Sequence, residues 1–336
     1  FAIPPPCWWI FDFFTAFGAC RLNQVNKKHR QLASAIPERA LNISANDQHR
    51  ETPAFEIDRP KSQLVPYVFA SPHSGRNYPK AFVAASRLNA LDIRKSEDSF
   101  VDELFADAPV HGAPLLKALF PRAYVDPNRE AWELDPRMFE DKLPRYVNTA
   151  SARVYAGLGT VARVVSNGEE IYDGKILFAE AKQRIESVYM PYHQALSGLI
   201  AETKERFGRC ILIDCHSMPS VGGPLDRDHG NQRVDFVLGN NHGETCAPEL
   251  MKLADSTLRA AGYVVRLNNP YSGGYTTRHY GKPRDQVQAL QIEINRHLYM
   301  DEARVERGPG FDDLKRDISH LITVLADAEL SQLAAE

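Results

Sequence analysis

The chain has 336 residues, 43% of them apolar and 25% charged, with a formal net charge of −3. This excludes a disordered or collagen-like polymer and fits a globular protein with enough length for one large domain or two ordinary ones. So small a charge imbalance gives no electrostatic case for nucleic acid or an anionic membrane as partner.

The chain starts at Phe1 rather than Met, as expected of a fragment or a processed product. Trp8-Trp9-Ile10-Phe11-Asp12-Phe13-Phe14 is an aromatic cluster, too short and too interrupted for a membrane span. No basic stretch precedes it, as a secretory signal would require. Residues 1–60 read as a poorly ordered or weakly docked arm, and 64–335 as a single α/β domain. The five cysteines are scattered without a Cys-x-x-Cys pair. That suits a reducing cytoplasm better than a disulfide-stapled fold.

Val65 to Ala70 reads as the first strand, with Pro66 tolerated near its start. It runs into Ser71-Pro72-His73-Ser74-Gly75, a stiff loop with a histidine at a strand end. His73 is either a solvated loop histidine or part of a site, since function concentrates on loops held by a scaffold. A helix is expected over Leu91 to Ala108, with Phe100, Val101, Leu104 and Phe105 as its apolar stripe. On such a helix Asp98 and Asp102 would share a face, with Glu97 beside them. Like charges at that spacing repel, so the group is either a cation site or an acidic helix start favoured by the macrodipole.

Ala123 to Asp126 reads as a strand end, followed by Pro127-Asn128-Arg129-Glu130. An arginine there, with an amide before it, suits a planar carboxylate clamp. Residues 132–175 look irregular, with a short strand expected over Thr160 to Val165. A long amphipathic helix is expected over Phe178 to Phe207, broken near Pro191, with His193 in a packing or surface role.

The most informative stretch comes next, Ile211-Leu212-Ile213-Asp214-Cys215-His216-Ser217-Met218. A β-branched run ends in a polar, proline-containing turn, so His216 falls at a strand end. In open α/β sheets ligands bind beyond the carboxyl ends of the strands. Alternation puts Leu212, Asp214 and His216 on one face and Ile211, Ile213 and Cys215 on the other. His216 is thus a candidate metal ligand, while Cys215 points to the other face, so the adjacent Cys-His pair is not automatically a catalytic pair.

Further strands are expected over Arg233 to Gly239 and Tyr263 to Asn268, around a helix from Cys246 to Ala261 closed by Gly262. A Gly-rich loop, Asn269 to Gly281, carries Gly273-Gly274 and Arg278 and has the look of a substrate loop. In the last strand, Gln288 to Asn295, Leu290, Ile292 and Ile294 oppose Gln291, Glu293 and Asn295. A carboxylate between isoleucines is costly unless paired or functional, so Glu293 is either catalytic or a structural ion-pair member. An amphipathic helix from Gly310 to Ala335 closes the chain. Alternating strands and helices predict an α/β fold in three layers, a mixed and mostly parallel sheet between helices.

Histidines, carboxylates and arginines gathered at strand ends are the parts of a metal-dependent hydrolase: N/O ligands, a base for water and a cation for an anionic substrate. The stretches Ser71 to Gly75, Asp126 to Arg129, Asp214 to Ser217, Gly273 to Gly281, Gln291 to Arg296 and Leu298 to Glu302 resemble the N-formylglutamate amidohydrolase family, in the family's motif order. The likeness runs from Leu64 to Leu330.

The resemblance implies a zinc-exopeptidase-like fold and hydrolysis of an N-formyl or other N-acyl amino acid, a small anionic substrate. It implies Zn2+ held by His73 and His216. Zinc carboxypeptidases place a glutamate three residues after the first histidine, where this chain has Arg76. The third ligand is therefore expected in the acidic segment, Asp98 first, Asp102 second, with Glu97 beside them. The resemblance further implies Asn128 and Arg129 as grips on the substrate carboxylate and Glu293 as general base. Arg278 would be a second clamp or an oxyanion stabiliser. Other readings are a deacylase or carboxypeptidase for another N-acyl amino acid, a cysteine amidase using Cys215, or a non-catalytic binding protein on the same fold.

Overall fold

Mostly apolar runs buried on both faces are the mark of parallel strands covered by helices on either side, and four such strands lie together here. A computed structural model describes residues 53–333 of the chain. The strands of its seven-stranded sheet are β1 Phe55–Asp58, β2 Tyr67–Ser71, β3 Leu115–Ala118, β4 Cys210–Met218, β5 Phe236–Gly239, β6 Val265–Leu267 and β7 Val287–Asn295, in the order β1-β3-β2-β4-β7-β5-β6; Met300–Asp301 and Glu306–Arg307 form a separate two-stranded sheet. Strands β3, β2, β4 and β7 run parallel. β1 is antiparallel to β3, β5 is antiparallel to β7, and β6 runs parallel to β5. The expected mixed, mostly parallel sheet between helices is what forms.

The helices are α1 Lys80–Ala84, α2 Val101–Leu104, α3 Ala152–Tyr155, α4 Phe178–Arg184, α5 Met190–Phe207, α6 Pro248–Ala260, α7 Tyr275–Tyr280 and α8 Phe311–Leu333. Ile211, Ile213 and Cys215 of β4 and Leu290, Ile292 and Ile294 of β7 pack with α2, α6 and α8 on one face. Leu212, Ala289, Val68 and Ala70 pack with Tyr192, Leu196 and Leu199 of α5 on the other. The alternation read from the sequence is therefore correct residue by residue. On the α5 side the apolar positions stop at Leu212 and Ala289. Asp214, His216, Gln291 and Glu293 continue that face towards the carboxyl ends of the strands, all buried.

Several expected elements are different. The helix expected over Leu91 to Ala108 is a 3-10 turn, Asp92–Arg94, and the short α2, separated by a buried segment. Phe100 at the start of α2 adopts a left-handed φ of 67°, which no continuous helix permits. The Asp98 amide is drawn instead to the His73 carbonyl, at 3.1 Å. Val101, Leu104 and Phe105 still reach the core, so the apolar stripe is real but tertiary contacts override the helix upstream of it. Asp98 and Asp102 consequently do not share a helix face.

Ala123 to Asp126 is a turn rather than a strand end, with Tyr124 N–H donating to the Pro121 carbonyl. Thr160 to Val165 makes only the isolated bridge Val164↔Glu170. Phe178 to Phe207 is helical throughout. A π-helical turn, Ile185–Tyr189, sits just ahead of Pro191 and replaces the expected break. β5 starts at Phe236 rather than Arg233, β6 spans Val265–Leu267, and the Gly-rich loop folds into α7 near its end.

The aromatic cluster at Trp8 to Phe14 and most of the arm expected over 1–60 lie outside the described residues. The part of that arm inside them, Phe55–Asp58, is the edge strand β1. No helix of the described residues is long and apolar enough to cross a membrane.

Candidate metal centre

Three buried residues meet beyond the ends of β2 and β4. His73 lies just past β2, His216 near the end of β4, and Asp98 in the segment between the 3-10 turn and α2. Each offers one ligand atom within 4.8 Å of the others. Asp98 Oδ2 lies 3.0 Å from His216 Nδ1 and 3.3 Å from His73 Nδ1. Tetrahedral ligands at about 2.0–2.1 Å from a zinc-sized ion stand about 3.3 Å apart, so the separations fit such an ion. The donor set, two imidazoles and a carboxylate, fits as well.

The far nitrogen of each histidine faces a carboxylate. His73 Nε2 lies 2.7 Å from Asp126 Oδ1, and His216 Nε2 lies 3.0 Å from Asp214 Oδ1. Metal-bound histidines commonly donate their other N–H to such a partner, which fixes the tautomer and leaves the near nitrogen free to bind. Here both Nδ1 atoms are the near ones. His216 Nε2 also lies 3.1 Å from Asn128 Nδ2.

Asp98 is itself held by cations. Its Oδ1 accepts from Arg296 Nη2 at 3.1 Å and lies 3.6 Å from Arg122 Nη1. Arg122 Nη2 also donates to Asp126 Oδ2 at 2.8 Å. Burial opposes the charge on Asp98, yet hydrogen bonding to His216 and His73 holds its carboxyl well below the usual range. Burial likewise opposes charge on Asp126, and Arg122 and Arg129 hold it low. The site therefore presents ionised carboxylates in a buried setting, as a cation requires.

Glu97 and Asp102 stand apart. Glu97 is taken up by Arg94, Ser99 and Tyr78. Asp102 lies 3.4 Å from Arg76 on the outer side. Arg76 itself, three residues after His73, bonds Glu103 at 2.7 Å and turns away from the centre.

Glu293 is brought to the site by register. It is the Cα partner of His216 across the parallel pair β4–β7, and Gln291 is the partner of Asp214. Its Oε1 accepts from Gln291 Nε2 at 2.8 Å. Burial raises its carboxyl to about 7, with the His216 charge working against the rise.

Asn128 meets His216 through its amide, on the ring nitrogen turned away from Asp98. The Arg129 side chain packs alongside, its Nε donating to the Leu158 carbonyl and Nη1 to the Asn128 carbonyl. Burial lowers its pKa to about 10. Arg278 is exposed and donates to the Gly273 carbonyl at 2.8 Å; it is not among the groups that converge on the histidines. Cys215 is buried in the core cluster and burial pushes its thiol up, which removes the basis for a cysteine nucleophile.

Sequence reasoning left Asp126, Arg122 and Arg296 without a role, and placed Asp214 only on the face of His216. The signals were present. Asp126 opens the Asp-Pro-Asn-Arg stretch, Arg122 precedes it by four residues, and Arg296 follows the last strand directly.

The N-formylglutamate amidohydrolase family matches residues 65–300. The N-formylglutamate deformylase of Pseudomonas aeruginosa is 32% identical over 245 residues, covering 72% of this chain and 85% of that protein. Its counterpart in Pseudomonas putida is 27% identical, over 71% of this chain and 83% of its own length. The crystal structure of N-formylglutamate amidohydrolase from Ralstonia eutropha JMP134 superposes with a TM-score of 0.75 at 36% identity, covering 82% of this chain and 98% of that one. A match over most of the chain, with the buried His-Asp-His group and Glu293 at its strand ends, shows that the chain belongs to the N-formylglutamate amidohydrolase family.

Proposed function

We propose that this chain is a metal-dependent amidohydrolase that cleaves N-formyl-L-glutamate to formate and L-glutamate. The observation that carries the reading is the buried group His73, Asp98 and His216 with Glu293 in register beside His216. The family membership and the deformylase relatives supply the substrate.

His73 Nδ1, His216 Nδ1 and Asp98 Oδ2 are the proposed ligands, and Zn2+ is the proposed ion because imidazole and carboxylate with an open position are its usual catalytic set. Bound there, it supplies Lewis-acid polarisation of the formyl carbonyl and a more acidic water. Asp126, hydrogen-bonded to His73 Nε2, keeps that imidazole in the binding tautomer, and the Asp214 carboxylate stands 3.0 Å from His216 Nε2. Glu293 takes the proton of the attacking water and delivers it to the departing amine, and a carboxyl near 7 can do both at neutral pH. Asn128 and Arg129, with Arg278 at the rim, hold the substrate carboxylates and present the amide to the base. The proposed compartment is the cytoplasm, where Cys210, Cys215 and Cys246 would stay reduced; all three are free and buried.

The test is hydrolysis of a panel comprising N-formyl-L-glutamate, N-acetyl-L-glutamate and a glutamyl dipeptide, with and without chelator, and with zinc added back. Chelator-sensitive release of formate, preferred over the other substrates, is the expected result. Preference for the acetyl compound or the dipeptide would move the enzyme to another N-acyl amino acid. No turnover of any of them would overturn the reading.

A further inference from the structure

Helix α5 and the π-helical turn that runs into it carry two polar side chains that the chemistry above leaves unused. Tyr189, at the end of the π-helical turn, and His193 are four residues apart, so they share a helix face. Both meet the turn that holds Asn128. The Tyr189 hydroxyl donates to the Arg129 carbonyl at 2.7 Å, and His193 Nε2 lies 2.8 Å from the Pro127 carbonyl. One helix face thus holds the carbonyls on both sides of Asn128.

The His193 tautomer follows from its partners. A carbonyl can only accept, so Nε2 carries the hydrogen and Nδ1 is the acceptor. Nδ1 lies 2.8 Å from the Tyr280 hydroxyl, which therefore donates to it. Tyr280 is the last residue of α7. The start of α7 returns to the same asparagine, with Thr276 N–H donating to Asn128 Oδ1 at 2.8 Å. Gly274, ahead of Thr276, packs so close that a Cβ there would sit 2.2 Å from Asn128 Nδ2. The circuit is closed: His193 to Pro127, Asn128 to Thr276, along α7 to Tyr280, and back to His193. The π-helical turn lies directly ahead of this face, and such turns recur at functional sites.

We propose that His193, with Tyr189 beside it, is a positioning residue for substrate binding. It ties the Asn128-Arg129 turn to α7, so that the groups gripping the substrate from both segments keep one geometry. This rests on the proposed substrate roles of Asn128, Arg129 and Arg278. Groups held in place before the ligand arrives lose less freedom on binding, and that gain is read as affinity.

The experiment compares His193→Leu, His193→Gln and Tyr189→Phe with the wild type, all loaded with zinc. It measures metal content, the Kd for L-glutamate by calorimetry, and kcat and KM on N-formyl-L-glutamate. His193→Leu should weaken glutamate and raise KM about tenfold, the effect of one buried carbonyl left without its donor, with metal content unchanged and kcat altered far less. His193→Gln, whose side-chain amide can still donate to the Pro127 carbonyl, should recover most of that loss. Tyr189→Phe, which deletes only a hydroxyl, should raise both constants in the same direction.

Wild-type affinity in His193→Leu overturns the proposal, as does failure of the glutamine to restore binding in a metal-loaded protein. If the leucine variant does not fold, wild-type affinity in Tyr189→Phe overturns it. The binding arm does not depend on turnover. A wild type that binds glutamate but releases no formate sinks the proposed reaction and leaves the positioning claim to be judged by the variants; a wild type that binds no glutamate sinks the positioning claim itself.

Discussion

His216 and Glu293 face each other across the parallel strands β4 and β7, as direct Cα partners. Side chains at paired positions of a parallel ladder project to the same face, so sheet register alone sets the candidate base beside a candidate ligand. Glu293 is buried, and its Oε1 accepts from Gln291 Nε2. Replacing it with glutamine keeps shape and hydrogen bonding but removes the base. Glu293→Gln should lower kcat about 10³-fold, in the range expected for loss of a general base, while zinc content by elemental analysis stays at the wild-type level. A variant that keeps near-normal turnover would remove Glu293 from the base role.

The same substitution should stabilise the metal-free protein at alkaline pH. Burial raises the folded Glu293 pKa to about 7, above the unfolded value of roughly 4.3. The folded state therefore resists ionisation: the carboxyl costs nothing below the unfolded pKa and costs progressively more as pH rises towards 7. Above that, Glu293→Gln should gain on the order of 1–3 kcal/mol in urea denaturation at pH 8 and close to nothing at pH 4. Equal effects at both values would show that the burial cost lies elsewhere.

Asp126 would act on an ion at the proposed site through His73. Its Oδ1 lies 2.7 Å from His73 Nε2, and removing such a partner commonly lowers metal affinity about 10–100-fold. Asp126→Asn should therefore show weakened zinc binding in competition with a chelating dye, as should Asp214→Asn, whose carboxylate lies 3.0 Å from His216 Nε2. The Asp126 change should also cost stability, because Arg122 loses its 2.8 Å partner in a buried setting. Unchanged zinc affinity in both variants would mean that the carboxylates serve packing only.

The legible parts of this site are those that alternation encodes. A strand's period fixes which side chains share a face, so His216 could be grouped with Asp214 and Glu293 with Gln291, and Cys215 placed in the core, before any coordinates; the register of β4 and β7 then puts the two pairs together. Asp98 was chosen for the wrong local reason. The helix that was to pair it with Asp102 does not form, because Phe100 turns left-handed and the Asp98 amide bonds the His73 loop. The cations behind the proposed ligands were beyond reach. Arg296 bonds Asp98 from 198 residues away, and periodicity reports which positions are buried, not which buried polar groups meet. His193 reads from the sequence as a packing or surface residue for the same reason: its partners, Pro127 and Tyr280, come from separate segments.

Arg129 and Arg278 should separate binding from stability. Arg129 is buried, with Nε and Nη1 bonded to the Leu158 and Asn128 carbonyls. Arg129→Ala leaves those carbonyls unpaired and should cost about 2–4 kcal/mol on unfolding as well as raising KM. Arg278 is exposed and bonds the Gly273 carbonyl. Arg278→Ala should change stability by less than about 0.5 kcal/mol but raise KM for N-formyl-L-glutamate. An unchanged KM for Arg278→Ala would take that residue out of the binding site.

His193 gives the molecule a specific acid sensitivity. Burial lowers its pKa to about 4, the bond to the Pro127 carbonyl opposing the fall, His279 adding to it and Asp214 opposing it. Around it stand Tyr189, Tyr192, Tyr275 and Tyr280, which are uncharged in this range, and Nδ1 already accepts from Tyr280. Above the unfolded histidine pKa of about 6.5 the side chain is neutral in both states and contributes no pH dependence. As pH falls from there towards 4, the unfolded chain takes up a proton that the folded protein refuses. Folding should then lose up to about 1.4 kcal/mol per pH unit from this group, reaching roughly 2–3 kcal/mol near pH 4. His193→Gln removes the titrating group, so the difference between its unfolding free energy and that of the wild type should shift in the variant's favour across that window. Urea denaturation at half-unit steps from pH 7 to pH 4 checks it; parallel curves would mean that His193 does not resist protonation.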